Sequence, residues 1–153
     1  MKLIYNTLIY SNLVYANVVW GNSPKKHIQP LVTAQKKVIR TIKFRNRYHH
    51  TNDDFYNLKI LKLTGTNKYF ASIFTYKSLN NLTYPVDYFN TASNTNTYTL
   101  RHTNNLRPPL FHSTQSQQSP SYYCCNIWNN LPQEIKTKPS VASFKLFIKK
   151  PFD

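Results

Sequence analysis

The sequence predicts a mainly α protein: a small helical bundle, then a long irregular connector, then a C-terminal helix. Three observations carry that expectation. Ile28, Leu31, Val32, Gln35, Val38, Ile39 and Ile42 recur at i, i+3 and i+4 and define one helix face. Helix punctuation stands where such windows begin, as at Ser23-Pro24, Thr51 and Ser140. Between Asn80 and Ser121, Asn, Thr, Ser, Gln and Pro dominate and no period survives. The chain therefore divides into a helical region over 1–79, a polar and partly disordered connector over 80–121, and a C-terminal segment over 122–153.

The first element is a predominantly apolar helix over 2–19, with Leu3, Ile4, Leu8, Ile9, Leu13, Val14, Val18 and Val19 as candidate core and Tyr5 and Tyr15 adding bulk. Gly21-Asn22 ends it. Ser23 is placed to cap the next helix, with Pro24 at its first, tolerated position. Pro30 offers an alternative start near Gln29. On this second helix, at about 100° per residue, Lys36, Lys37, Arg40 and Lys43 share a face distinct from the apolar one.

Thr51 with Asp54 three residues on has the spacing of a capping box in which Asp replaces Glu, and opens a short helix from Asn52 to about Leu58. Ile60, Leu61 and Leu63 follow. A further helix then runs from Thr64-Gly65 through Tyr69, Phe70, Ile73, Phe74 and Lys77, whose aromatics lie on one stripe and read as core. In the connector, Arg101, His102 and Arg107 are candidates for phosphate contact against the ordinary alternative of a solvated linker. Order is expected to resume at Tyr122. The last helix, capped by Ser140, directs Phe144, Phe147 and Ile148 inward and Lys145, Lys149 and Lys150 outward.

Composition narrows the function classes. The chain has 153 residues, with 20 Lys+Arg against 5 Asp+Glu and a formal charge of +15. That imbalance favours a polyanionic partner, nucleic acid before an anionic membrane surface, with a merely solvated basic surface as the bland alternative. Only 2 Gly are present, which excludes Gly-rich phosphate loops. Cys124 and Cys125 are adjacent, a spacing that resists disulfide geometry, so they read as reduced thiols in an intracellular protein. Nuclear and cytoplasmic locations are not distinguished. Residues 3–24 lack charge, yet Asn6, Thr7, Ser11, Asn12 and Asn17 interrupt the run and argue for a buried helix over a signal peptide or membrane span.

Five blocks occur in order: YNTLIYSNLVYANVVWGN (5–22), QKKVIRTIKF (35–44), LKILKL (58–63), WNNLPQEIK (128–136) and SVASFK (140–145). Together they resemble the C-terminal part of reverse transcriptases of non-LTR retrotransposons, of the jockey-like kind. The resemblance spans nearly the whole chain and implies the thumb and the region beyond it, with the helix from His27 to Phe44 on the nucleic-acid-facing side. The chain departs from the family at Cys124-Cys125, where Gly-Pro is usual before the Trp-Asn block.

The parent polymerases hold Mg2+ on a Tyr/Phe-x-Asp-Asp hairpin and an upstream Asp, and this chain contains neither. Asp53-Asp54 opens a helix, where acids complement the dipole, and Asp87, Glu134 and Asp153 stand singly. A Cys124 or Cys125 pairing with His112 or His102 has nothing to fix its geometry, and His49-His50 lacks a metal-ligand partner at helical spacing. No catalysis and no cofactor are expected of this chain alone.

Binding remains. Lys25, Lys26, Lys36, Lys37, Arg40, Lys43, Arg45 and Arg47 place eight cations and no acid in one short stretch. The expected partner is RNA or an RNA–DNA hybrid, together with the absent palm domain of the parent enzyme, and no membrane. Tyr48 is suited either to stacking on an exposed base or to packing beside the helix end. The alternative to a polymerase fragment is an independent small basic helical nucleic-acid-binding protein. A basic interfacial membrane anchor over 2–47 is a third.

Overall fold

The computed structural model describes residues 2–83, 88–90 and 105–149. Among them the protein is mainly helical, as the periodicity predicts. Arg101, His102, Asp87, Lys150 and Asp153 lie outside the described residues, as do 84–87 and 91–104 of the expected connector.

The first helix, α1, is continuous over 2–14 but not uniform. Lys2–Ile4 and Ser11–Val14 are α-helical, while Tyr5–Tyr10 between them is π-wound, with the Ser11 N–H donating to the Asn6 carbonyl. Each π turn takes up an extra residue, which spreads around the helix the apolar positions that α winding would stack on one face. Tyr5 is consequently the buried anchor, and Leu3, Ile4 and Leu8, expected in the core, are 75%, 54% and 65% exposed. The polar residues of this stretch satisfy themselves locally: the Ser11 hydroxyl donates to the Thr7 carbonyl and the Asn12 amide to that of Leu8.

The expected single helix over 2–19 is broken. Tyr15 is extended (ψ 124°) and Ala16 left-handed (φ 48°) before α2, Asn17–Trp20, begins. Val19 and Tyr15 face outward as a result. Asn17 is buried instead, donating to the Leu13 carbonyl across the break and to Asn67 Oδ1 at 2.8 Å. Asn67 in turn donates to the Gly21 carbonyl at 2.7 Å. Here glycine answers a close approach: a Cβ at Gly21 would stand 2.5 Å from the Asn17 carbonyl oxygen.

Helix α3 is Lys25–Ile42. Ser23 makes no cap. Pro24 occupies the N-cap position, and its carbonyl accepts from the His27 and Ile28 N–H groups. Pro30 sits within the helix rather than opening it. Ile28, Gln35 and Ile39 are buried along the apolar face, with Val32, Val38 and Ile42 half-buried. Helix α4, Asn52–Leu58, ends at Lys59, which is left-handed (φ 52°). Its N-cap Thr51 makes no side-chain cap hydrogen bond, so the expected capping box is not formed.

Helix α5, Leu63–Leu79, is the central strut. On one side α1, α3 and α4 close a small core of Tyr5, Ile39, Phe55 and Ile60. On the other, α6 (Pro120–Asn129), α7 (Gln133–Lys136) and α8 (Val141–Lys149) close a larger core against Ala71, Ile73 and Tyr76 of α5. Order resumes earlier than Tyr122. Ser116–Gln118 forms a 3-10 turn and Ser119 caps α6, accepting from the Tyr122 N–H. Buried Phe89 and Leu106 reach the larger core from the connector.

The Trp-Asn-x-Leu-Pro block makes the joint of that core. Trp128 is buried, Leu131 seals its edge, and Pro132 stands at the N-cap of α7. Asn129 holds the connector with two bonds, accepting from the Leu106 N–H and donating to its carbonyl, both at 2.9 Å. Ser140 caps α8 through the Ser143 N–H, and Phe144 and Ile148 are fully buried. Phe144 stacks on Tyr76 with centroids 4.3 Å apart. Phe147, expected inside, is 44% exposed and lies under the Lys138 ammonium at 4.0 Å.

Candidate nucleic-acid interface

The basic face of α3 is positioned by a polar pin in its apolar face. Gln35 is buried, and its amide donates to the Tyr5 hydroxyl at 2.8 Å and to the Leu61 carbonyl at 3.0 Å. Its oxygen accepts from the Leu63 N–H at 2.9 Å. That donor is one of the unpaired N–H groups at the start of α5, so α3 caps α5 while gripping α1. Every one of these bonds is made away from water, where an unpaired group is costly, and the rotation of α3 is thereby set.

With Gln35 inward, the cations fall on the opposite side and its flanks. Lys25, Lys26 and Lys37 are exposed, and Lys36, Arg40 and Lys43 are half-buried on the flank. At 1.5 Å per residue, Lys25 to Lys43 spans about 27 Å of helix. Exposed Gln29, Pro30, Thr33 and Ala34 line a shallow groove with Lys26 and Lys37.

Beyond α3 the chain turns through Phe44, which is left-handed (φ 51°), and the Arg45 N–H bonds the Arg40 carbonyl. Two of the eight predicted cations are engaged within the protein. Arg40 Nε donates to the His49 carbonyl at 2.9 Å. Arg45 Nε stands 3.8 Å from Asp54 Oδ1, and His49 Nε2 stands 3.6 Å from Asp54 Oδ2. Asp54 is buried, so it is the anchor of the 43–51 loop and neither a capping-box acid nor a solvent-facing one. Local sequence showed an acid-free stretch because its counter-charge arrives from the next helix.

Among the described residues, Lys25, Lys26, Lys36, Lys37, Lys43 and Arg47 have no carboxylate within ion-pair distance. Tyr48 does not pack beside the helix end; it is 84% exposed next to Arg47. Arg107 is exposed in the connector, with its backbone N–H held by the Asn90 carbonyl at 2.8 Å.

The remaining chemistry-bearing residues are disposed differently. Cys124 and Cys125 are free thiols buried in the larger core. Burial pushes Cys124 up to about 12 and Cys125 to about 11, so both stay protonated at neutral pH. His112 is exposed, and no nucleophile–base pair is formed with either thiol. Lys136 is drawn into packing as well. Its ammonium donates to the Asn129 carbonyl at 3.3 Å and lies over Trp128, and desolvation lowers its pKa. Among the described residues no three His, Cys, Asp or Glu side chains converge as a metal site, and no helix is long and apolar enough to cross a membrane. No protein-family model, curated protein or solved structure matches this chain.

Proposed function

We propose that the chain is the thumb-side and C-terminal portion of a jockey-like non-LTR retrotransposon reverse transcriptase, and that α3 holds the backbone of RNA or an RNA–DNA hybrid. The observation that carries the binding half is the set of six cations along α3 and its following loop that, among the described residues, have no carboxylate within ion-pair distance. Such a surface grips phosphates through ammonium and guanidinium contacts, which position a strand without reading its bases. Nucleotide addition falls to carboxylate-bound Mg2+ in a palm outside this chain, and the chain has no catalytic step of its own. The ordered resemblance of five sequence blocks supports the family assignment. The apolar side chains that α1 leaves uncovered, Leu3, Ile4 and Leu8, support a role as one part of a larger protein that packs there.

A filter-binding titration of an RNA–DNA hybrid against salt tests the interface. Affinity should fall steeply, with log K linear in log salt, and Lys36→Ala/Lys37→Ala should lower the slope by about 1–2. Absent or salt-insensitive binding overturns it. An in-frame Tyr/Phe-x-Asp-Asp coding stretch upstream tests the fragment assignment.

The second reading is an independent small nucleic-acid-binding protein. Its support is that α1, α2 and α3 are tied to α5 through the Gln35 and Asn17–Asn67 networks, while α6 and α8 pack on α5 through the larger core, which gives the chain internal ties of its own. A cooperative, reversible thermal melt of the isolated chain favours it; aggregation on mild heating favours the fragment.

A further inference from the structure

A second basic site lies away from α3, where α1, the 59–61 turn, α5 and the end of α8 meet. Lys2, Lys59 and Lys149 come from three separate elements to line a cleft of about 300 Å3 whose other walls include Asn6, Tyr10 and Tyr69. Lys59 and Lys149 also line an adjoining hollow with Tyr56 and Asn57, so these two residues are shared by two tyrosine-lined spaces. Among the described residues no carboxylate lines either one.

Two further observations point the same way. Lys59 is left-handed at the end of α4, a conformation that glycine or asparagine adopts at lower cost. A lysine thus occupies a position whose backbone disfavours it, and strain of this kind is a pointer to function. The hydroxyls of Tyr10 and Tyr69 are near enough that ionising one opposes ionising the other, and burial raises both pKa values, so they remain donors. Tyr5 closes the floor, with its own hydroxyl already accepting from Gln35.

We infer that this cleft binds a nucleotide, with its phosphate between Lys59 and Lys149 and its base against Tyr10 and Tyr69. The volume is at the lower end for ligand sites, which suits one nucleotide unit and excludes a duplex. Aromatic walls supply sequence-tolerant stacking and the ammonium groups supply charge, the pairing used wherever single strands are held. The adjoining hollow beneath Tyr56 is placed to take the neighbouring nucleotide of a strand.

Equilibrium dialysis of labelled adenosine 5′-monophosphate and of tetra-adenylate tests the site. Lys59→Asn/Lys149→Gln is the main variant. Both side chains are exposed and asparagine tolerates the left-handed turn, so the fold is retained, which a thermal melt verifies. Binding of both probes should weaken at least about tenfold in that variant and a few-fold in Tyr69→Phe, while Lys36→Ala/Lys37→Ala leaves the monophosphate unaffected. Tighter binding of the tetramer assigns the site to a strand; equal affinity assigns it to free nucleotide. Undiminished binding in the lysine variant, or competition by inorganic phosphate or adenosine as effective as that by the monophosphate, overturns the inference. Loss of hybrid binding in the α3 variant with monophosphate binding intact separates this site from the interface on α3.

Discussion

The two sides of α5 are built on different principles. Toward α6 and α8 the protein buries large aromatic and aliphatic side chains, with Phe144 stacked between Tyr76 and Trp128 and both thiols enclosed. Toward α1, α3 and α4 the clustered core is small, Tyr5, Ile39, Phe55 and Ile60, and orientation comes from hydrogen bonds of Gln35 and the Arg45–Asp54 ion pair. Apolar burial is non-directional, whereas hydrogen bonds fix rotation. The large core therefore supplies most of the cohesion, and the small one sets which way the basic helix faces.

Phe144→Ala should have the largest effect on that contrast. It removes a fully buried ring that touches both Tyr76 and Trp128, and should cost about 3–5 kcal/mol in a denaturant titration. Gln35→Leu keeps volume but orphans the Leu63 N–H and the Leu61 carbonyl, and should cost about 2–3 kcal/mol. Its signature is spatial: amide exchange should accelerate in α3 and α1 ahead of α6 and α8. Equal acceleration everywhere would break the division between the two sides.

Alkali should act most strongly on the large core, where the thiols are buried. Cys124 titrates at about 12 in the folded protein against an ordinary value of 9.0, so the folded state holds its proton more tightly than the unfolded state does. Stability from that thiol is fully present below pH 9 and is lost as pH rises from 9 toward 12, by up to ~1.4 kcal/mol per pH unit. Half-buried Tyr123, raised to about 12, adds in the same direction at the upper end of this range. Melting temperatures recorded from pH 8 to 11 should fall, and Cys124→Ala should flatten the decline. The smallest effect is expected of Arg45→Ala, whose half-exposed partner role at 3.8 Å is worth at most about 1 kcal/mol. Its readout is increased protease sensitivity in the 43–51 loop with the large core unchanged.

Much of the fold was legible in the sequence because it is local. The 3.6-residue stripe of α3, the span of α4, the extent of α5, the cap at Ser140 and the burial of Phe144 and Ile148 each follow from neighbours along the chain. The basic face was legible for the same reason, since once α3 is a helix its lysines share a side. The misplacements have a common cause. Leu3, Ile4, Leu8 and Val19 were assigned to the core on hydrophobicity, yet π winding and the left-handed Ala16 turn them outward, and no i, i+4 pattern encodes either. Phe147 went the same way, since an apolar count along α8 does not say how wide a stripe α5 can cover.

By itself, then, the sequence determined the helical class, helices α3, α4, α5 and α8, the reduced state of the paired cysteines and the sign of the surface α3 presents, whereas α6 and α7 were not legible as helices. Tertiary structure alone decided which cations are free. Arg40 and Arg45 are drawn to the His49 carbonyl and to Asp54, while Lys59 and Lys149, unremarkable in sequence, meet at one cleft. It also decided that Gln35 and Asn17, polar residues inside apolar runs, become the pins between helices. The physical reason is range: periodicity and capping act over a few residues, but a counter-charge or a hydrogen-bond partner is chosen by whatever the fold brings alongside.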